Sequence, residues 1–329
     1  MTQKEIGPYC RGCLVCNGKA CRNQIPGPGA KGVGDTAIRN YEKWKEIRLR
    51  MDTICENKAV DTTYCLFGKT FQYPFFAGPV GAVNLHYGEK YDDNAYYEIL
   101  VAACAQAGIA AFTGDGINPE VMKAAAAVID RFAGLGIPTI KPWNADMVKE
   151  KLEYANACGA FAVAMDIDAA GLPFLKNLTP PAGSKTVKEL SCIAQWAKVP
   201  FIIKGIMTTE GAYKAKEAGA AAIVVSNHGG RVLDQCQATA EVLPDIAEAV
   251  GDSMTILVDG GIRCGTDIFK ALALGADGVL ICRPFVTAVY SGGKEGVKEL
   301  ITRLGRELED AMMMCGAHSL EEITKDMVV

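Results

Sequence analysis

The chain has 329 residues, 50% of them apolar and 22% charged, which is the make-up of a globular protein and excludes fibrous and disordered classes. Its formal net charge of -4 removes the broad basic surface that non-specific nucleic-acid binding needs, so no nucleic acid is expected as a partner. No apolar stretch reaches the roughly 18 residues of a membrane span, and the start MTQKEIGPYCRGC lacks the apolar core of a secretion leader. A cytoplasmic protein without membrane attachment is expected.

Residues 1–36 carry Cys10, Cys13, Cys16 and Cys21 among many glycines, with neither helical nor alternating periodicity, and read as an irregular arm. From Thr36 to Met51 the apolar residues Ile38, Tyr41, Trp44, Ile47 and Met51 recur at helical spacing, with Asp35 placed to cap the helix. From Tyr73 onward, short apolar runs alternate with longer Ala-rich amphipathic ones. The short runs are PFFAGPV (74–80), IAAFTGD (109–115), PTIKPW (138–143), FAVAMDID (161–168), PFIIKGI (200–206), AAIVVSNHGG (221–230), TILVDGG (255–261) and GVLICRP (278–284). Each suits a strand buried on both faces, and the stretches between them suit crossover helices that end at Gly108, Gly159, Gly219 and Gly275. Eight strands alternating with helices predict a TIM (β/α)8 barrel over 73–329, with residues 1–72 forming a Cys-rich arm and a helix packed on it. A doubly wound open sheet is the runner-up, but no GxGxxG follows the first strand.

In such a barrel the active site lies at the C-terminal ends of the strands. Those ends hold Thr113, Asp115, Lys141, Asp166, Asp168, Lys204, Asn227, His228, Arg231, Asp259, Arg263 and Arg283. Charged groups in apolar runs are costly to bury unless paired or used. His228 precedes Gly229 and Gly230, which let backbone approach a ligand closely, and Arg231 stands beside it. Lys204 closes the run PFII at the mouth, where an ammonium serves as a nucleophile, a phosphate clamp or a stabiliser of negative charge. The Gly-rich segment 259–265 and the Arg263 and Arg283 side chains close the last two strands, the place where many barrels bind phosphate. A phosphorylated ligand or cofactor is expected there.

The segments IIKGI (202–206), VVSNHGGRVLD (224–234), ILVDGGIRCGTDIFKALALGAD (256–277) and ICRP (281–284) resemble the FMN-dependent α-hydroxy acid oxidising family, which includes glycolate oxidase, lactate oxidase and mandelate dehydrogenase. The resemblance covers roughly residues 37 to 316 and implies FMN at the barrel mouth, with a small 2-hydroxy acid as substrate. It implies that His228 is the catalytic base, Asp166 its carboxylate partner, Arg231 the group that binds the substrate carboxylate, and Lys204 the cation beside the flavin N1–C2 edge. It further implies Gly261, Arg263 and Arg283 for the phosphate, Asp259 near the ribityl chain, Ala77, Gly78 and Pro79 beneath the ring, and Thr113 as a hydrogen-bonding partner of the flavin. The family forms tetramers and octamers, so a homo-oligomer is expected.

The substrate pocket departs from the family pattern. Ile140 stands at the place of a family tyrosine, Pro173 at that of a second arginine, and Lys141 and Trp143 lie nearby. Lys141 is therefore a candidate substrate contact. The cysteines follow C-x2-C-x2-C-x4-C, close to half of a ferredoxin-type site or a distorted zinc knot, so an iron–sulfur cluster or zinc is one reading of them. The other makes the thiols structural, with the arm packed over the barrel as a lid. Two rival functions stay open: an isomerase resembling the type 2 isopentenyl diphosphate enzymes, and a flavin and metal-cluster electron-transfer subunit. The direction of reaction, oxidation of the hydroxy acid or reduction of the 2-oxo acid, is open as well.

Overall fold

Past the arm, the first regular element is α1 (Asp35–Glu46). It starts where expected but without a side-chain cap: Asp35 is its first residue, and Gly34 in a left-handed conformation precedes it. It also stops a turn early, because Ile47 is extended and the chain runs on to a bridge between Leu49 and Val328. The structure is a computed structural model, and it describes residues 10–179 and 182–329.

A short antiparallel hairpin follows, β1 (Tyr64–Leu66) and β2 (Lys69–Phe71). The eight apolar runs then supply β3 (Phe75–Ala77), β4 (Ala111–Thr113), β5 (Gly136–Ile140), β6 (Val163–Asp166), β7 (Phe201–Ile206), β8 (Ala222–Val225), β9 (Thr255–Val258) and β10 (Gly278–Ile281). They pair in parallel and in sequence order, with β10 returning to β3, so the sheet closes into a TIM (β/α)8 barrel.

Side chains alternate along each strand. Phe76, Phe112, Ala164, Ile202, Val224 and Leu280 belong to one buried cluster that includes Leu66 and Phe71 of the hairpin. Phe75, Ala111, Val163, Ile203, Ile223 and Val279 belong to the larger cluster shared with the surrounding helices. The first set fills the barrel interior, and the hairpin plugs it from below through the Phe71–Phe76 ring contact at 5.1 Å. Each phenylalanine so buried stabilises the fold by about 1.5–3 kcal/mol. With one end plugged, the opposite end, where the strands finish, is left for a ligand.

Glycines 108, 159, 219 and 275, expected at helix ends, all have positive φ. The scattered cysteines are less uniformly core residues than their apolar settings suggest. Cys104, Cys158 and Cys315 are buried, whereas Cys55 and Cys65 are exposed. No helix among the described residues is long and apolar enough to cross a membrane.

Candidate active site

The strand ends open into a cavity of about 360 Å3 lined by Pro79, Lys141, Lys204, His228, Arg231, Asp259, Gly261, Arg263 and Arg283. Nine residues singled out in the sequence thus meet at one place. Ala77, Gly78, Thr113 and Asp166 are not part of the lining. Ala77 is fully buried in β3, a Cβ on Gly78 would lie 2.3 Å from the Cys282 sulfur, and Asp166 is covered by Lys141.

Lys204 is almost wholly buried in β7 and donates to Ser226 Oγ at 2.9 Å. Asp259 and Asp168 stand 3.5 and 3.9 Å from its Nζ. Burial opposes its charge, but Asp168, Asp259 and Asp166 together raise its proton affinity above that of an ordinary lysine. The cavity therefore has a fixed cation in its floor. Asp259 lines the same wall, with Oδ1 buried and unpartnered, and burial raises its carboxyl.

His228 follows β8 in a left-handed conformation (φ 56°) that turns its ring into the cavity. The carboxylate at hydrogen-bonding distance from its Nδ1 is Asp168, at 2.9 Å, and Asp166 lies 4.0 Å away. This corrects the expectation that Asp166 is the partner. Asp166 is the last residue of β6 and binds the Lys141 ammonium at 2.6 Å, while the 3-10 turn Ile167–Gly171 brings Asp168 back toward the ring. Gly205 makes that return possible: β7 has an irregularity there, and a Cβ on Gly205 would sit 2.7 Å from the Asp168 Cβ.

Burial, then the nearby Lys204 and Lys141 charges, pushes the His228 pKa well below its ordinary 6.5, with Asp166 opposing. Neutral imidazole is therefore the form at neutral pH. The Asp168 contact assigns the proton to Nδ1, which leaves Nε2 as the proton acceptor. Burial raises the Asp168 carboxyl while Lys204 and Lys141 lower it.

The three arginines are met by the arm, a feature with no sequence pattern to announce it. Arg231 Nη1 donates to the carbonyls of Gly27 and Gly29, Arg283 Nε to that of Pro28, and Arg263 Nε to that of Cys16. His86 is a second residue that sequence reasoning passed over. It lines the cavity, accepts from the Gly27 N–H at 3.1 Å, and is pushed down to about 3, chiefly by burial. Trp143 lies behind the site: it is buried and donates to Asp115, which also pairs with Lys151.

The turn after β9 is shaped by α1. Gly260 and Gly261 both have positive φ, Trp44 donates to the Gly260 carbonyl at 2.7 Å, and a Cβ on Gly261 would fall 2.1 Å from the Asn40 carbonyl oxygen. Only glycine fits a backbone pressed this closely against a helix. The residues therefore suit a phosphorylated aromatic cofactor: a cation in the floor, a buried carboxylate on the wall with one oxygen unpartnered, and a glycine turn beside two arginines that keep further N–H groups.

Barrel, cavity and imidazole together define a flavin-type oxidoreductase site. The family model for FMN-dependent dehydrogenases matches residues 28–176 and 180–329, and the chain belongs to that family. A peroxisomal (S)-2-hydroxyacid oxidase from Arabidopsis thaliana is 30% identical over 327 residues, covering 89% of this chain and 88% of the relative. An L-lactate dehydrogenase from Xanthomonas campestris pv. campestris is 31% identical, covering 88% of each. Among solved structures, a mandelate oxidase variant with (S)-mandelic acid superposes with a TM-score of 0.77 at 26% identity over 90% of both chains. A flavocytochrome b2 variant gives 0.79 at 25% identity over 91% of this chain and 80% of its own. FMN is the cofactor of the family, and the enzyme is an FMN-dependent oxidoreductase. The match does not favour the isomerase or the electron-transfer reading.

Proposed function

We propose that this enzyme oxidises a small 2-hydroxy acid, or runs the reverse reduction of a 2-oxo acid, with His228 as the group that moves the proton. The observation that carries the reading is the His228–Asp168 contact at 2.9 Å beside the buried Lys204. FMN, when bound, supplies the acceptor for two electrons. Lys204 and Asp259 would face its ring and ribityl chain, and Gly261, Arg263 and Arg283 its phosphate. Pro79 lies at the wall, while Ala77, Gly78 and Thr113 shape the bed beneath.

Nε2 of His228 takes a proton from the substrate's carbinol centre, and Asp168 stabilises the imidazolium so formed. A planar guanidinium suits the substrate carboxylate, and Arg231 is the one beside His228. Lys141 sits on the same cavity with its charge already matched by Asp166, so it serves the substrate as a donor rather than as a free cation. The relatives' names support the substrate class: one acts on (S)-2-hydroxy acids, another on L-lactate.

The finer assignments follow from the same reading. Thirteen cysteines, none paired among the described residues, suit a reducing cytoplasm. A homo-oligomer, tetramer or octamer, is the assembly proposed, and light scattering of the purified chain checks it. The arm and α1 (within 1–72) act as a cover on the barrel of 73–329.

His228→Ala tests the central role. The variant is expected to retain FMN while flavin bleaching by substrate slows by about 10²–10⁴-fold. Bleaching at the parent rate would overturn the assignment of the base.

A further inference from the structure

The barrel chemistry leaves four thiols unused. Cys10, Cys13, Cys16 and Cys21 all line a second cavity, about 890 Å3, which Tyr41, Arg263 and Ser291 also line. The family match begins at residue 28, so this segment is an addition to the shared barrel. All four cysteines are free and half-buried.

Backbone geometry brings them together within twelve residues. Gly12 and Gly18 have positive φ, and a Cβ on Gly29 would fall 1.8 Å from the Cys21 carbonyl oxygen. Five basic residues, Arg11, Lys45, Arg263, Arg283 and Arg303, and the acidic Glu299 line the same space. Among them, Arg263 holds the Cys16 carbonyl at 2.8 Å. Arg263 and Arg283, which also line the flavin cavity, would face on this side the negative charge of four thiolates around a metal centre.

The spacing separates the kinds of metal centre. A single tetrahedral ion bound by four sulfurs at 2.3 Å would bring them to about 3.8 Å from each other. Among the described residues, the group of three or more ligating atoms within 4.8 Å of one another is Asp166, Asp168 and His228, and it contains no cysteine. No three of the four thiols therefore lie as close together as the ligands of one ion do. A cubane asks less of them, since its four cysteine sulfurs sit on four different irons and are spaced more widely.

We propose that Cys10, Cys13, Cys16 and Cys21 ligate one [4Fe–4S] cluster, with Arg263 and Arg283 offsetting its charge. Ligation releases four thiol protons and leaves four thiolates on a cluster core of two positive charges, a net charge of minus two. The site goes beyond the oxidation of 2-hydroxy acids and does not rest on it.

The test is iron, zinc and acid-labile sulfide analysis of the full chain purified without oxygen, before and after incubation with equal amounts of ferrous and ferric iron and with sulfide. About four irons and four sulfides per chain are expected, with an electron paramagnetic signal that appears on dithionite reduction. The double variant Cys13→Ser/Cys16→Ser loses most of the iron. Cys264→Ser keeps it, since Cys264 lines the same cavity but lies against Lys45 at 3.7 Å. FMN content of the same samples reports whether the barrel has folded. Zinc at about one per chain, no iron after reconstitution, or full iron in the double variant would each overturn the cluster. Iron in a protein that never binds flavin would leave the cluster standing and remove the oxidoreductase reading instead.

Discussion

His228 sits in a left-handed backbone conformation that costs a non-glycine residue about 1–2 kcal/mol. Two carboxylates face its Nδ1 side, and their distances rank them: Asp168 at 2.9 Å, Asp166 at 4.0 Å. Asp168→Asn should therefore slow flavin bleaching by about 10²-fold or more while FMN stays bound. Asp166→Asn should slow it less, because its first effect is to strip Lys141 of its partner. Stopped-flow absorbance on the two variants decides the order, and a larger loss in Asp166→Asn would reverse the assignment. The motif MDID makes both acids visible in the sequence. It does not tell which of two positions flanking a strand end returns to the imidazole, since that depends on a turn and on space left by a residue of the neighbouring strand.

At the scale of elements, that space is Gly205. Its φ is 109°, and a methyl group there would come within 2.7 Å of the Asp168 Cβ, so no side chain fits. Gly205→Ala should lower stability by about 1–3 kcal/mol and also slow bleaching, through the displaced Asp168. Chemical denaturation with FMN bound measures the first effect. An unchanged midpoint would mean that β7 tolerates the methyl and that the bend does not hold Asp168. All eight barrel strands were legible because a strand buried on both faces is an uninterrupted apolar run. The β1–β2 hairpin was not, since three residues per strand give no alternation to read. Helix α1 was legible at its start but not its end: the apolar period continues to Met51, while the backbone becomes extended at Ile47 to reach the C-terminal segment.

At the scale of the whole molecule, the barrel gathers side chains from β7, β8, β9 and β10 around one mouth, and the arm lies across it. Carbonyls of Cys16, Gly27, Pro28 and Gly29 accept from Arg263, Arg283 and Arg231, joining residues about 200 to 255 apart in sequence. Such contacts follow from tertiary packing alone, which explains why the arm's cysteines were conspicuous in the sequence while its seat on the arginines was not. In the proposed reaction a 2-hydroxy acid delivers electrons to flavin at this mouth. The most direct measurement is the absorption spectrum of the oxygen-free protein, loaded with FMN, during titration with glycolate, L-lactate, (S)-mandelate and their longer homologues. Retained flavin bands are expected, and at least one of these acids should bleach them in full. A chain that neither retains nor rebinds FMN, or a bound flavin that stays oxidised through the whole panel, would contradict that role.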